Sequence, residues 1–191
     1  MRLGKKFTVE NEEHPLEGCL LLAHPSLSDG CFDRAVVWIM VHSAKEGALG
    51  LIVNRPLQMK LGEYDADLDD SELSSIPLFY GGPVNDRQVT LVAWKQMDEV
   101  GVLKFHFGID KSEAREIISS DQGFEICGFV GYSGWAQGQL EGELKTDSWV
   151  LTELTAKLSE MGRPNTWKTL LASKNPLMGL LVNEPEDLSL N

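Results

Sequence analysis

Short apolar runs, spaced by polar and glycine-rich turns, dominate the first two thirds of the chain, and helical periodicity appears only later. Residues 18–23 and 48–53 are almost continuously apolar, and residues 35–41 are apolar throughout and rich in Val, Ile and Trp. The first run predicts a short strand, and the 35–41 and 48–53 runs predict strands buried on both faces. His24-Pro25 ends the first run, because a residue before proline is pushed out of the helical region. Residues 43–47 have the length of a hairpin loop joining the second run to the third, which Asn54-Arg55-Pro56 closes. Residues 78–80 form a strand stub leading into Gly81-Gly82-Pro83, and residues 88–94 and 102–107 are further strands. In the latter, Leu103, Phe105 and Phe107 alternate with Lys104 and His106, the period of a half-exposed strand. Residues 124–130 are a strand followed by the turn Gly131-Tyr132-Ser133-Gly134-Trp135, and residues 149–151 are short and extended.

Helical signals are fewer. Asp110-Lys111-Ser112-Glu113 resembles a capping box with Asp as the cap, and Ala114, Ile117 and Ile118 supply the buried stripe of the helix that follows. Ala136, Leu140 and Leu144 repeat every four residues, in a helix weakened by Gly142. Leu154, Leu158 and Met161 mark another amphipathic helix, and Trp167, Leu170 and Leu171 a last short one after Pro164. Residues 60–75 turn acidic, with Glu63, Asp65, Asp67, Asp69, Asp70 and Glu72, and read as short solvated helix and loop. Strands come first and helices later, without strict β-α-β alternation. The expectation is one α+β domain over residues 18–191, preceded by a flexible, charged leader over 1–17.

Composition narrows the function classes. At 191 residues, 42% hydrophobic and 24% charged, the chain can bury one sizeable core, which excludes disorder, collagen-like repeats and a disulfide-stapled miniprotein. The formal net charge of −12 counts against direct binding to duplex DNA, which needs clustered Lys and Arg. Met1-Arg2-Leu3-Gly4-Lys5-Lys6 has the charge of a signal-peptide start, but Glu10, Glu12, Glu13 and Glu17 stand where an apolar segment should follow. The longest apolar run, 35–41, is far short of the ~20 residues that a membrane helix needs. Cys19, Cys31 and Cys127 are odd in number and widely spaced, as in a reduced, cytoplasmic protein.

Four strands end in polar or glycine-rich turns, at residues 24–34, 54–56, 81–83 and 131–135. On parallel strands these would line one crevice. On antiparallel strands they scatter, and two or three converging is the most that the pattern predicts. Asp29, Asp33 and Arg34 surround Phe32 just ahead of the most apolar strand. Either aspartate is a structural partner for Arg34, and Arg34 with Arg55 is a candidate anion site. The ligand-binding candidates are accordingly Asp29, Arg34, Asn54, Arg55, Gly81 and Gly82, although Gly81-Gly82-Pro83 lacks the Lys and Ser/Thr of a phosphate loop. Ser133 sits in the setting of a nucleophile elbow, but Trp135 replaces the second glycine of G-x-S-x-G, and a helix N-cap is the ordinary reading. Cys19, His24, Cys31 and His42 fit no zinc spacing, and both histidines read as hydrogen-bonded turn residues. Glu141 and Lys145 read as an i,i+4 pair on a solvated face, and the acidic run from Glu63 to Glu72 as a solubilising or basic-partner surface. No catalytic residue, metal site or cofactor motif emerges.

Taken together the turns resemble the AlgH/YqgE family of bacterial proteins. The residues that carry the likeness are Gly18-x-Leu20-Leu21-Leu22-Ala23-His24-Pro25-x-Leu27-x-Asp29-x-x-Phe32-x-Arg34 and Gly47-Ala48-Leu49-Gly50-Leu51-Ile52-Val53-Asn54-Arg55-Pro56. Tyr80-Gly81-Gly82-Pro83 and Gly131-Tyr132-Ser133-Gly134-Trp135, with Gln139 and Leu140, extend it, so that it spans about residues 18–167. The resemblance implies a bent, bifurcated mixed sheet forming a pseudo-barrel packed against helices. It implies no catalytic residues, since no reaction or cofactor is assigned to the family, and alanine commonly stands where this chain has Ser133. The family is labelled as transcriptional regulators through genetic association. With a charge of −12, that label points to a non-catalytic regulatory or binding module working through a protein partner or a small anionic ligand. The alternative is a hydrolase or transferase acting on an anionic metabolite.

Overall fold

The structure, a computed structural model, describes residues 5–6, 16–27, 30–68, 71–96, 103–120, 122–154 and 162–181. Within them one curled, mixed sheet of ten strands forms a half-barrel, flanked by five helices. The strands are β1 (Lys5–Lys6), β2 (Leu20–Ala23), β3 (Val36–Ser43), β4 (Gly47–Ile52), β5 (Pro56–Lys60), β6 (Pro77–Tyr80), β7 (Val84–Gln96), β8 (Leu103–Ile109), β9 (Glu125–Trp135) and β10 (Trp149–Thr152). The helices are α1 (Leu61–Tyr64), α2 (Lys111–Ser119), α3 (Gln139–Lys145), α4 (Thr166–Lys174) and α5 (Pro176–Leu181). No helix among these residues is long and apolar enough to cross a membrane.

Strand period explains why residues 35–40, buried on both faces, carry no polar position, whereas Val41 beyond them is exposed. Val36, Trp38 and Met40 point into one core, with Leu20 and Leu22 of β2, Trp94 of β7 and Phe105 of β8. α4 covers that face through Trp167 and Leu171, and the Trp167 indole N–H donates to the carbonyl of Ala23 at 2.8 Å. Val37 and Ile39 point the other way, into a core closed by Leu140 of α3 with Trp135 and Trp149. A third core lies behind β6, β7 and β8, where Leu61, Leu68, Leu73 and Ile76 meet Leu91, Ile109 and Ala114. The acidic segment that reads as a solvated loop therefore contributes a row of buried apolar residues between its carboxylates. Cys127 is buried in the first core, and that burial pushes its thiol pKa up to about 12.

The sheet order is β1-β8-β7-β9-β4-β3-β2-β10, with β6 attached to β9 and β5 to β6. Every pairing is antiparallel except β6 on β9, where Leu78, Phe79 and Tyr80 lie opposite Gly128, Phe129 and Val130. One edge of β9 runs along β7, while its other edge is shared: β6 takes residues 128–130, and β4 takes 133–135. The sheet thus forks on β9.

Several expectations change in the structure. Residues 131–135 are no turn but the second half of β9, continuous with 125–130. Ser133 is therefore neither helix cap nor elbow nucleophile; it is fully buried in a strand, and its Oγ donates to the carbonyl of Gly81 at 3.3 Å. Pro56 opens a strand directly after Asn54-Arg55, and β7 extends well beyond the predicted 88–94. Ile118, expected in the buried stripe of α2, is exposed, because Ala114 and Ile117 already span the face that packs. Glu141 turns away from an i,i+4 partner and accepts from, or pairs with, His42 Nε2 at 3.0 Å. Of residues 1–17, Lys5–Lys6 pair with β8, Leu16 packs on the α3 core, and Glu17 Oε1 accepts from the backbone N–H of His42. The helix predicted around Leu158 and Met161 falls outside the described residues.

The cap of α2 matches its pattern. Asp110 accepts the N–H groups of Ser112 and Glu113 at 2.8 Å each, and Glu113 accepts the N–H of Asp110 at 2.9 Å. Asp110→Ala is expected to lower stability by about 1 kcal/mol, the usual loss for a side-chain cap, measured as a shift of the urea midpoint at constant slope.

Candidate functional site

The fork of the sheet gathers all four predicted turns, where at most two or three were expected. The reason lies in the β3–β4 hairpin, which returns the end of β4 beside the start of β3. Residues 24–34 precede β3 and residues 54–56 follow β4, so an antiparallel hairpin places them on the same edge, not on opposite ones. The parallel attachment of β6 then ends its strand at the same level, with Gly81 beside β4 on one side and β9 on the other.

Backbone hydrogen bonds lock this junction. Ile52 N–H donates to the Gly81 carbonyl at 2.9 Å, Gly81 N–H to Val130 at 2.8 Å, and Tyr80 N–H to Arg55 at 2.9 Å. The glycines are required by the closeness of the chains. A Cβ on Gly81 would stand 2.3 Å from the Gly131 carbonyl oxygen, and one on Gly82 would stand 2.3 Å from the Tyr132 carbonyl carbon. Gly81 and Gly82 therefore stand at the fork where neighbouring backbones leave no room for a Cβ.

Asn54 and Arg55 act on the loop before β3. Asn54 Oδ1 accepts the N–H of Val36 at 2.8 Å, and Asn54 Nδ2 donates to the Arg34 carbonyl at 2.9 Å. Arg55 Nη2 donates to the Asp33 carbonyl at 2.7 Å. These three bonds grip the segment 33–36 from both sides. Arg34, between them, has φ of 52°, a left-handed conformation that costs a side chain with a Cβ on the order of 1 kcal/mol. Its side chain is exposed. Asp29 lies outside the described residues.

Tyr80 lies at the edge of the same seam. Burial and a hydrogen bond with the Cys31 thiol push its hydroxyl up to about 12, against the pull of the neighbouring Arg55 guanidinium. Phe32, next to that cysteine, stacks on Trp135 and meets Trp149 edge-on, so the loop is anchored by aromatic packing as well. The two histidines are also held by neighbours: His24 Nδ1 lies 2.8 Å from Ser26 Oγ, and His42 is buried on β3 against Glu141. Among the described residues, no three His, Cys, Asp or Glu side chains are grouped as metal ligands.

Of the six candidates, then, the structure brings Arg34, Asn54, Arg55, Gly81 and Gly82 together; Asn54, Arg55 and the two glycines build the junction, and Arg34 lies exposed in the loop that Asn54 and Arg55 hold. Sequence reasoning missed the cavity beside Tyr64 and Arg87, since nothing in the spacing of residues 61–67 and 87–91 announces that they face each other.

A half-barrel whose mixed sheet forks on one central strand, flanked by helices, defines a class of small α+β proteins. The comparisons specify which. A family model described as AlgH-like matches residues 20–178. A UPF0301 protein of Chlamydia felis is 33% identical over 180 residues, 92% of this chain and 95% of the relative. Another, of Mycolicibacterium smegmatis, is 34% identical over 186 residues, covering 91% and 90% of the two chains. The solution structure of AlgH from Pseudomonas aeruginosa superposes with a TM-score of 0.63 at 23% identity, over 95% of this chain and 100% of that one. A crystal structure of a Corynebacterium diphtheriae protein gives 0.62 at 21% identity, over 89% and 92%. At those identities the two structures bear on the fold alone. The chain belongs to the AlgH-like family.

Proposed function

We propose that the chain is a non-catalytic, cytoplasmic binding module that recognises an anionic small molecule at the fork through Arg34, and that any regulatory role follows from that binding through a protein partner. The observation that carries this reading is the grip of Asn54 and Arg55 on a left-handed Arg34. A conformation that an arginine adopts at a cost, fixed by three hydrogen bonds and leaving the side chain exposed, is the arrangement expected of a residue kept for what it contacts. The net charge of −12 supports a small ligand over duplex DNA.

The test is an amide NMR titration with duplex DNA, nucleotides and phosphorylated metabolites. A ligand of this site shifts amides at 33–36, 54–55 and 80–82. Arg34→Ala weakens its binding about tenfold or more, the loss of one charge-assisted contact, while the spectrum stays folded. Arg34→Gly binds as poorly as Arg34→Ala but is the more stable of the two by up to about 1 kcal/mol, because glycine accepts a positive φ freely. Shifts elsewhere, or binding indifferent to Arg34, overturn the proposal. Turnover of the bound molecule would instead favour the hydrolase or transferase reading.

A further inference from the structure

A cavity lies on the other side of β9, and its frame is an irregularity in β7. The register of β7 against β9 passes from Val84↔Tyr132 to Val89↔Val130. Residues 85–88 therefore stand opposite the single residue Gly131, and Asn85 takes a φ of 52° to make the bend. Bulges of this kind re-aim side chains and concentrate beside binding sites. This one carries Arg87 and Gln88 out of the ladder and onto the rim of a cavity of about 690 Å³, which falls within the ~300–1,000 Å³ typical of small-molecule sites.

The walls of the cavity are apolar, formed by Leu61, Val89, Leu91 and Ile109. Most charges on its rim already have partners. Lys111 Nζ is 2.9 Å from Asp65 Oδ2, and Asp110 caps α2. The Tyr64 hydroxyl donates to the Arg87 carbonyl at 3.1 Å and braces the bulge. Two opposite charges are left over: among the described residues neither the Arg87 guanidinium nor the Asp67 carboxylate has a hydrogen-bond or ion-pair partner. The Asp67 backbone N–H is bound to Asp65 Oδ1 at 3.2 Å, which fixes the turn that bears it.

From the bulge, the apolar walls and this unspent pair we infer that the cavity binds a small zwitterion with an aliphatic body, an apolar amino acid or a short apolar peptide with free ends. Arg87 takes the carboxylate, Asp67 the ammonium, and the four apolar side chains the body. A purely anionic ligand is disfavoured by the three aspartates on the rim, and a purely cationic one leaves Arg87 without a partner.

The experiment is an amide NMR titration of the full chain with leucine and with leucyl-leucine, alongside acetyl-leucyl-leucine and leucyl-leucinamide. Saturable shifts confined to residues 65–67, 87–91 and 109–111 are expected with the free dipeptide. Arg87→Gln weakens its binding about tenfold or more yet leaves the amide derivative unaffected, and Asp67→Asn does the same for the free dipeptide while sparing the acetyl derivative. Both side chains are exposed, so the variants keep the wild-type melting temperature. Arg34→Ala leaves this binding intact, which separates it from the site at the fork. Absence of saturable shifts, shifts confined to other residues, or equal binding by wild type and both variants each overturn the inference.

Discussion

Replacing Gly82 by alanine is expected to lower the unfolding free energy by about 4 kcal/mol, roughly half from its backbone and half from overpacking. Gly82 has φ of 149°, in a region open essentially to glycine alone. The added Cβ would stand 2.3 Å from the carbonyl carbon of Tyr132, 2.4 Å from its oxygen and 2.6 Å from the nitrogen of Ser133. All three are backbone atoms of the central strand, so no rotamer can relieve the clash. The chain must instead open between β6 and β9. Urea unfolding followed by circular dichroism measures the loss, and a midpoint within error of wild type would mean that the fork is looser than its hydrogen bonds imply. Gly138 makes the control: it too has positive φ, 73°, but a Cβ there meets nothing within 4 Å, so Gly138→Ala incurs only the backbone part.

Glu143→Ala is expected to cost about 3 kcal/mol, since it leaves two indole N–H groups without an acceptor at roughly 1–3 kcal/mol each. Glu143 Oε2 accepts from Trp135 Nε1 at 2.9 Å and from Trp149 Nε1 at 2.7 Å, while Oε1 accepts from Gln139 Nε2 at 2.9 Å. Both tryptophans are more than nine-tenths buried, so water cannot readily replace the carboxylate. For a chain of this size the loss lowers the melting temperature by about 6–12 °C. Glu143→Gln keeps an acceptor oxygen and recovers more than half of the difference. If the alanine variant melts within two degrees or so of the glutamine variant, the double acceptance carries little of the stability.

Much of this architecture was legible because local signals are strong where period and capping agree. The wholly apolar 35–41 run needs a strand covered on both faces, and it has one as far as Met40, with only Val41 exposed; Asp110 and Glu113 announce the start of α2 to the residue. Legibility failed where long-range pairing overrode a local signal. Gly131, Gly134 and Ser133 look like turn residues, but here Gly131 admits the neighbouring backbone of Gly82 and Val84, and the serine ties β9 to Gly81. The acidic residues of 60–75 hid Leu61, Leu68, Leu73 and Ile76, whose burial depends on α2 and β7, not on their neighbours in sequence. At the candidate site, residue types pointed to the right loops. Which residue is presented and which ones hold it follows only from who bonds whom: Asn54 and Arg55 spend their polar atoms on the chain itself.

The position of β9 has a consequence for how the protein is made. Three strands, β4, β6 and β7, are completed long before it, and each waits for an edge that β9 alone supplies. During synthesis neither half of the sheet can close until residue 135 has left the ribosome, so folding is largely a late event set by contacts distant in sequence, on the slow side for a domain of this size. In that interval the waiting edges are templates for pairing between nascent chains. Termination or cleavage ahead of Glu125 therefore yields no smaller domain, only three unsatisfied edges on a chain prone to associate with its own copies.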